Sequence, residues 1–185
     1  MRVISGTAGG IPLKVPKSEL RPTMDKVRGA IFDSLRDILP GAQVLDLFAG
    51  SGALGIEALS RGAAKVIFVE NDRLSVPVIE HNLAKTKLNG SIRAEDVFRF
   101  LDRSAAPASY DLILADPPYA KAPGERDFAP ELLGNEALRR ALTPGGIFVL
   151  EHLPDAELPL GKRWECFRDK RYGATAVAFL RALPE

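Results

Sequence analysis

Four consecutive residues, Asp116-Pro117-Pro118-Tyr119, have the types needed to hold an aminated ring. They follow the strand-like run Tyr110-Asp111-Leu112-Ile113-Leu114-Ala115 and lead into a polar stretch. A turn here offers one carboxylate, two proline carbonyls and an aromatic face. Proline fixes φ and has no N–H, so the turn is stiff and rich in acceptors. A nucleobase bearing an exocyclic amine suits it. Asp116 and the Pro117 carbonyl each accept one N–H, and the nitrogen lone pair is then aimed at an electrophile held in line. The nitrogen gains positive charge as it reacts, which the carboxylate stabilises. Tyr119 stacks on the base, a contact worth about 1–3 kcal/mol. The plain alternative for the tetrapeptide is a rigid strand exit.

Three further groups lie just after strand-like runs. Gly50, Gly52 and Gly55 spell G-x-G-x-x-G between the apolar run Val44–Phe48 and a helical pattern. Such a loop turns tightly and lets backbone N–H groups approach a ligand. Alone it is compatible with a dinucleotide site. Asp46 stands four residues before Gly50, where a carboxylate opposes a pyrophosphate but pairs with an ammonium or sulfonium group. S-adenosylmethionine carries both of these groups; NAD carries neither. Glu70 ends the next apolar run, where an acid accepts from ribose hydroxyls. Asp96 follows a third run. It suits an adenine amino group, and equally well the N-cap of a short helix at Val97 to Leu101.

The elements that must position these residues alternate. Runs at 44–48, 65–70, 91–95, 110–115 and 147–152 read as strands, the first without polar alternation, as inside a parallel sheet. Helical patterns fall between them, at 53–61, 73–85 and about 130–142. Pro77 fits only near a first turn. Two late runs, about 163–169 and 174–181, flank Tyr172-Gly173 and read as an antiparallel hairpin closing the sheet. Ahead of the alternation, residues 2–5 and 11–15 read as a β-hairpin. A helix capped by Thr23 then carries Val27, Ile31, Leu35 and Ile38 on one face and ends at Pro40-Gly41. The expected fold is α/β, a mostly parallel seven-stranded Rossmann-like sheet with helices on both faces.

The chain has 185 residues, 46% hydrophobic and 26% charged, which suits one main domain. No apolar run approaches the roughly 20 residues of a membrane helix, and the N-terminal residues lack the long apolar core of a signal peptide. A cytoplasmic protein, off the membrane, is expected. Cys166 is the single cysteine, and His81 and His152 are the only histidines. No disulfide and no metal site is expected. The formal net charge is +1, but its distribution is uneven. Arg2, Lys14, Lys17, Arg21, Lys26 and Arg28 face only Glu19 and Asp25 in the first 28 residues. Lys162, Arg163, Arg168, Lys170 and Arg171 face Glu165 and Asp169 near the other end. Solvated faces and a phosphate-contacting surface are both compatible with this pattern.

The glycine loop, Glu70 and Asp116-Pro117-Pro118-Tyr119 resemble the motifs of class I S-adenosylmethionine-dependent amino-methyltransferases. Arg2-Val3-Ile4-Ser5-Gly6, Leu13-Lys14-Val15-Pro16, Leu20-Arg21-Pro22-Thr23, Asp25, Val27-Arg28 and Phe32 narrow the resemblance. So do the segment from Asp46 to Gly62 and Arg171-Tyr172-Gly173 with Thr175. Together they are similar to the bacterial 16S rRNA methyltransferases that act on N2 of guanine 966. The resemblance implies an N-terminal RNA-contacting hairpin and helix at 1–40 and a methyltransferase domain at 41–185. Its substrate would be 16S rRNA in the small subunit or an assembly intermediate, and its state a monomer. By motif position Asp46, Gly50, Gly52, Glu70 and Asp96 line the cofactor site. Asp116, Pro117 and Tyr119 hold the base, and Lys14, Arg21 and Thr23 meet RNA. The loop Lys121 to Asp127 is longer and more charged than the resemblance implies, and reads as a lid, an RNA contact or a surface insertion.

Other readings share parts of this pattern. A DNA adenine-N6 methyltransferase would need a sequence-reading domain for which 185 residues leave no room. A non-catalytic RNA-binding assembly factor would not need an intact Asp116 and glycine loop. An NAD-dependent oxidoreductase is disfavoured by Asp46.

Overall fold

Strand register explains why the candidate residues converge. The computed structural model describes residues 1–16, 25–120 and 124–184. Strands β1 (Gln43–Leu47), β2 (Lys65–Val69), β3 (Ser91–Arg93), β4 (Tyr110–Ala115) and β5 (Leu142–His152) are parallel neighbours in the order β3-β2-β1-β4-β5. The sheet continues through β7 (Thr175–Ala182) to β6 (Trp164–Tyr172), with β7 antiparallel to both its neighbours. The expected seven-stranded α/β sheet is therefore present. Strand order reverses direction between β1 and β4, and ligands in such sheets bind beyond the strand ends at that crevice.

The central strands β1, β4 and β5 are apolar on both faces because both faces are covered. Val44, Leu112 and Leu114 join one core with Val27, Ile31 and Phe32 of α1 (Asp25–Ser34), Ile56 of α2 (Ala53–Ser60) and Ile79 of α3 (Val76–Thr86). Val3, Ala8 and Leu13 of the N-terminal segment belong to that same core. Leu45, Leu47 and Ile113 face the other side, where Phe100 of α4 (Val97–Arg103), Leu132 of α5 (Phe128–Gly134) and Leu138 of α6 (Glu136–Ala141) cover them. Pro77 lies in the first turn of α3, where its missing N–H costs no helical bond. Among the described residues, no helix is long and apolar enough to cross a membrane.

Local differences from the sequence reading have local causes. The first helix ends at Ser34, not at Pro40. Leu35 N–H bonds the Phe32 carbonyl and Ile38 N–H bonds the Leu35 carbonyl, so three-residue turns carry the apolar spacing on. The single helix expected over 130–142 is two. Asn135 ends α5 in an extended conformation, and its side chain accepts from Leu138 N–H at 2.8 Å to cap α6. Strand β5 begins at Leu142, five residues early, and a register shift opposite Tyr110 and Leu112 absorbs the difference. The expected hairpin near the N-terminus is reduced to one bridge, Arg2 to Pro12, with Val3 bonded to Ile11 and Gly10 to Val3. The cap expected at Thr23 lies outside the described residues.

Candidate active site

Leu47 at the end of β1 is in register with Val69 on one side and Ala115 on the other. The next residue on each strand exit is therefore Phe48, Glu70 and Asp116. Val69 is paired with Arg93 in turn, and Asp96 follows three residues later. The sheet brings Asp46, the glycine turn, Glu70, Asp96 and the Asp116 tetrapeptide to one carboxyl edge.

The glycine turn is held by carboxylates. Phe48, Gly50 and Gly52 all have positive φ, at 57°, 53° and 77°. Glycine adopts such values without steric cost; Phe48 does so under constraint from its neighbours. Asp46 is 1% exposed, and its Oδ2 accepts the Gly55 N–H at 2.8 Å. Glu70 Oε2 accepts the Gly50 N–H at 2.7 Å, and its Oε1 accepts the Asp72 N–H at 2.7 Å. Both acids thus shape the loop whether or not they also meet a ligand. The third glycine serves packing: a Cβ on Gly55 would lie 2.3 Å from the Phe68 ring. With three carboxylates gathered near it, Asp46, Glu70 and Asp96, the edge suits a cationic nucleoside with ribose hydroxyls and disfavours a pyrophosphate.

Asp96 does cap α4. Its Oδ1 accepts from Phe98 N–H and Arg99 N–H, each at 3.0 Å. Beside it lies an aromatic group that sequence reasoning missed. Phe128 sits edge-on to Phe48 at 5.1 Å and stacked on Phe98 at 6.2 Å. Arg126 lies 4.7 Å over both the Phe98 and Phe128 rings and pairs with Glu131 at 2.7 Å. Asp127 accepts from Ala129 N–H and caps α5. The distal part of the charged loop is therefore packed down; residues 121–123 lie outside the described structure. The three phenylalanines are scattered in sequence, so no periodicity announces them.

Asp116 is half-buried, Pro117 buried and Tyr119 half-buried. The Tyr119 hydroxyl shares a 2.6 Å hydrogen bond with Thr175 Oγ1 and lies 3.2 Å from Glu151 Oε1. Thr175 itself donates to Glu151 Oε1 at 2.8 Å. Burial, together with the nearby Glu151 charge, raises the Tyr119 phenol above its ordinary range. It stays neutral as the ring is held at the strand edge. A cavity of about 40 Å³ adjoins it, lined by Pro117, Pro118, Tyr119, Glu151 and His152 among others. Neither Glu151 nor Thr175 stands out in the sequence as a site residue. The only signal was Thr175 in a turn motif with no chemistry attached.

The N-terminal segment docks through buried polar groups. Asn82 on α3 is fully buried; it accepts Lys14 N–H at 2.8 Å and donates to the carbonyls of Lys14 and Ser51, both at 2.9 Å. Glu57 on α2, also fully buried, accepts from Ile4 N–H at 2.7 Å, Ser5 N–H at 3.0 Å and Arg61 Nε at 2.7 Å. Ser60 Oγ accepts from Ala8 N–H and donates to the Ser5 carbonyl. Lys14 is exposed, its backbone pinned and its side chain outward. One residue of the basic tally must be removed. Arg28 is fully buried, donating to Asp25 Oδ1 at 2.9 Å and to the Arg2 carbonyl, so it adds nothing to a phosphate-facing surface. Arg21 and Thr23 lie outside the described residues.

A sheet in this strand order, with a glycine turn after β1 and an acid after β2, defines the Rossmann-like fold of class I methyltransferases. The family described as conserved hypothetical protein 95 matches residues 1–181, and the chain belongs to that family. The Bacillus subtilis protein YlbH is 37% identical over 187 residues, 98% of each chain. Ribosomal RNA small subunit methyltransferase D of Escherichia coli strain K12 is 41% identical over 123 residues, 65% of this chain and 61% of that protein. Among solved structures, the Escherichia coli protein yhhF superposes with a TM-score of 0.83 at 31% identity, covering 98% of this chain and 97% of that one. The 16S rRNA N2 G1207 methyltransferase of Thermus thermophilus, solved with AdoMet and guanosine, has a TM-score of 0.72 at 26% identity, over 89% of this chain and 45% of that one.

Proposed function

We propose that this protein methylates the exocyclic N2 of a guanine, of the position-966 type, in 16S rRNA of the small ribosomal subunit, with S-adenosylmethionine as donor. The observation that carries the reading is the register that sets Glu70 and Asp116 on either side of Phe48 at one sheet edge. A methyl-donor site on β1 and β2 then lies beside an amine-holding turn on β4. The family membership and the names of its relatives support rRNA as the substrate, and the guanosine in the Thermus thermophilus enzyme supports the base.

Asp46, the turn at Gly50 and Gly52, Glu70 and Asp96 would hold the cofactor, whose sulfonium supplies an electrophilic methyl group. Asp116 and the Pro117 carbonyl accept the two N2 hydrogens and direct the nitrogen lone pair along the line of transfer. The methyl group would pass to that nitrogen and leave its S–C electron pair on the donor's sulfur. The nitrogen becomes positive, stabilised by Asp116, and its surplus proton leaves through that carboxylate to water. Tyr119, held by Thr175 and Glu151, stacks on the base. Lys14, Arg21 and Thr23 would meet the RNA around it. The enzyme would act in the cytoplasm as a monomer, on a subunit or an assembly intermediate.

The test is transfer of labelled methyl to small subunits, and to naked 16S rRNA, from a strain lacking the gene, followed by mapping of the modified nucleotide. Incorporation at one guanine N2 is expected. Incorporation at an adenine, in protein or nowhere would overturn the reading.

A further inference from the structure

Five basic residues lie close together from Lys162 to Arg171, and in sequence they look like one block. The pleat of β6 divides those on the strand between two faces. Arg168 is in register with Phe179, Lys170 with Val177 and Tyr172 with Thr175. Residues directly opposite share a face. Val177 and Phe179 belong to the core covered by α1, α2, α3 and the N-terminal segment, and Tyr172 packs against it. Asp169 and Arg171 alternate to the other face. There Arg171 pairs with Asp155 at 3.2 Å, and Asp169 meets His152 at 3.3 Å.

The face that carries Arg168 and Lys170 is also the face of the tyrosine anchor. Glu151 on β5 is in register with Val177, which is in register with Lys170, so the three form one row across the strands. Thr175, which bonds Tyr119, is two positions nearer the carboxyl edge on that face. Strand β6 runs antiparallel to β7 and so parallel to β5, and its last residues point toward the edge where Asp116 lies. Arg168 and Lys170 are exposed. The Arg168 guanidinium lies 5.7 Å over the Phe179 ring, and Arg181 lies 4.3 Å over Phe167, which is 37% exposed. Glu165, the acid that β6 carries on this face, stands opposite Arg181 at the end far from Tyr119, and Glu151 of β5 is buried.

We propose that Arg168 and Lys170, with the Phe167–Arg181 pair beyond them, form a track for the RNA backbone that leads to the Tyr119 edge. The proposal rests on the rRNA reading above and extends it to a named surface. Cations two residues apart on one strand face are about 7 Å apart and aligned. An arginine resting on a ring keeps its fork directed outward for phosphate oxygens. A half-exposed phenylalanine beside it offers a stacking face, which favours single-stranded RNA over an acidic protein. The acids Asp46, Glu70 and Asp96 repel phosphate from the cofactor side, so the backbone is steered past the cations instead.

The test measures binding of labelled 16S rRNA transcript to the full chain across a salt series, by fluorescence anisotropy. R168E/K170E is expected to bind roughly tenfold more weakly at low salt. Its log–log salt slope should be shallower by about 2, one for each lost phosphate contact. R171E, on the opposite face, should stay within about threefold of wild type. If the double reversal misfolds, R168Q/K170Q gives the same slope change. Unchanged affinity and slope in the double variant, or an equal loss in R171E, would overturn the track. So would normal binding to RNA combined with poor methylation of assembled subunits, which points to a ribosomal protein as the partner. Methyl incorporation by the wild type is scored separately, and its absence sinks the methyltransferase reading without touching the binding result.

Discussion

Asn82 grips Lys14 by both halves of its backbone: Oδ1 accepts the Lys14 N–H at 2.8 Å while Nδ2 donates to the Lys14 carbonyl at 2.9 Å. The same amide nitrogen donates to the Ser51 carbonyl inside the glycine turn. One fully buried side chain therefore ties the N-terminal segment, α3 and the candidate cofactor loop together. Asn82→Ala strips partners from buried backbone groups at about 1–3 kcal/mol each. We expect an overall loss of about 2–4 kcal/mol in a urea titration, since the site relaxes in part. S-adenosylmethionine binding, followed by calorimetry, should weaken along with it. Unchanged cofactor affinity would show that the Ser51 contact does not shape the loop.

Glu57 is the second tie. It is fully buried and gathers Ile4 N–H, Ser5 N–H and Arg61, with Arg28 Nε 3.9 Å from it. Removing one partner of a buried charge cluster costs about 3–5 kcal/mol. Glu57→Ala should lower stability by that order and raise amide hydrogen exchange first at residues 3–8. Uniform exchange across the chain would mean that the segment does not open separately.

Tyr119 carries a pH signature. Its phenol is raised above the ordinary 10.0 by burial and by Glu151. The unfolded phenol ionises near 10, while the folded one resists. The stabilisation is therefore fully present below pH 10 and is lost as pH rises through the range above it. Denaturation of wild type and Tyr119→Phe across pH 8–11 should give a constant difference up to about pH 10, then a shrinking one. A difference that grows above pH 10 would contradict the burial of the neutral phenol beside Glu151.

Asp116 is expected to act on the reacting amine and not on the cofactor. Asp116→Ala should reduce methyl transfer at least about 100-fold, the usual scale for removing one preorganised charge-stabilising group. Cofactor affinity should stay within about twofold. Full activity would remove the carboxylate from the mechanism.

The strands could be read from the chain because an apolar run such as Val44–Leu47 has nowhere to lie except inside a covered sheet. The two-helix break at Asn135 was less legible, since a capping asparagine inside a helical pattern looks like a tolerated polar residue until its side chain is seen on Leu138 N–H. Arg28 misled for a related reason. A charge count assumes exposure, and only packing reveals a guanidinium buried between Asp25 and Glu57.

By itself the sequence determined the alternation of strands and helices, the glycine turn and the stiff Asp116-Pro117-Pro118-Tyr119 exit. These are local matters of periodicity and of φ, carried within a few residues. Tertiary structure alone decided that Glu70 and Asp116 flank Phe48, that Thr175 holds Tyr119 from 56 residues away, and that Asn82 clasps Lys14 from 68 away. Those relationships depend on strand order and register, and side chains far apart in sequence meet only once the sheet has been assembled.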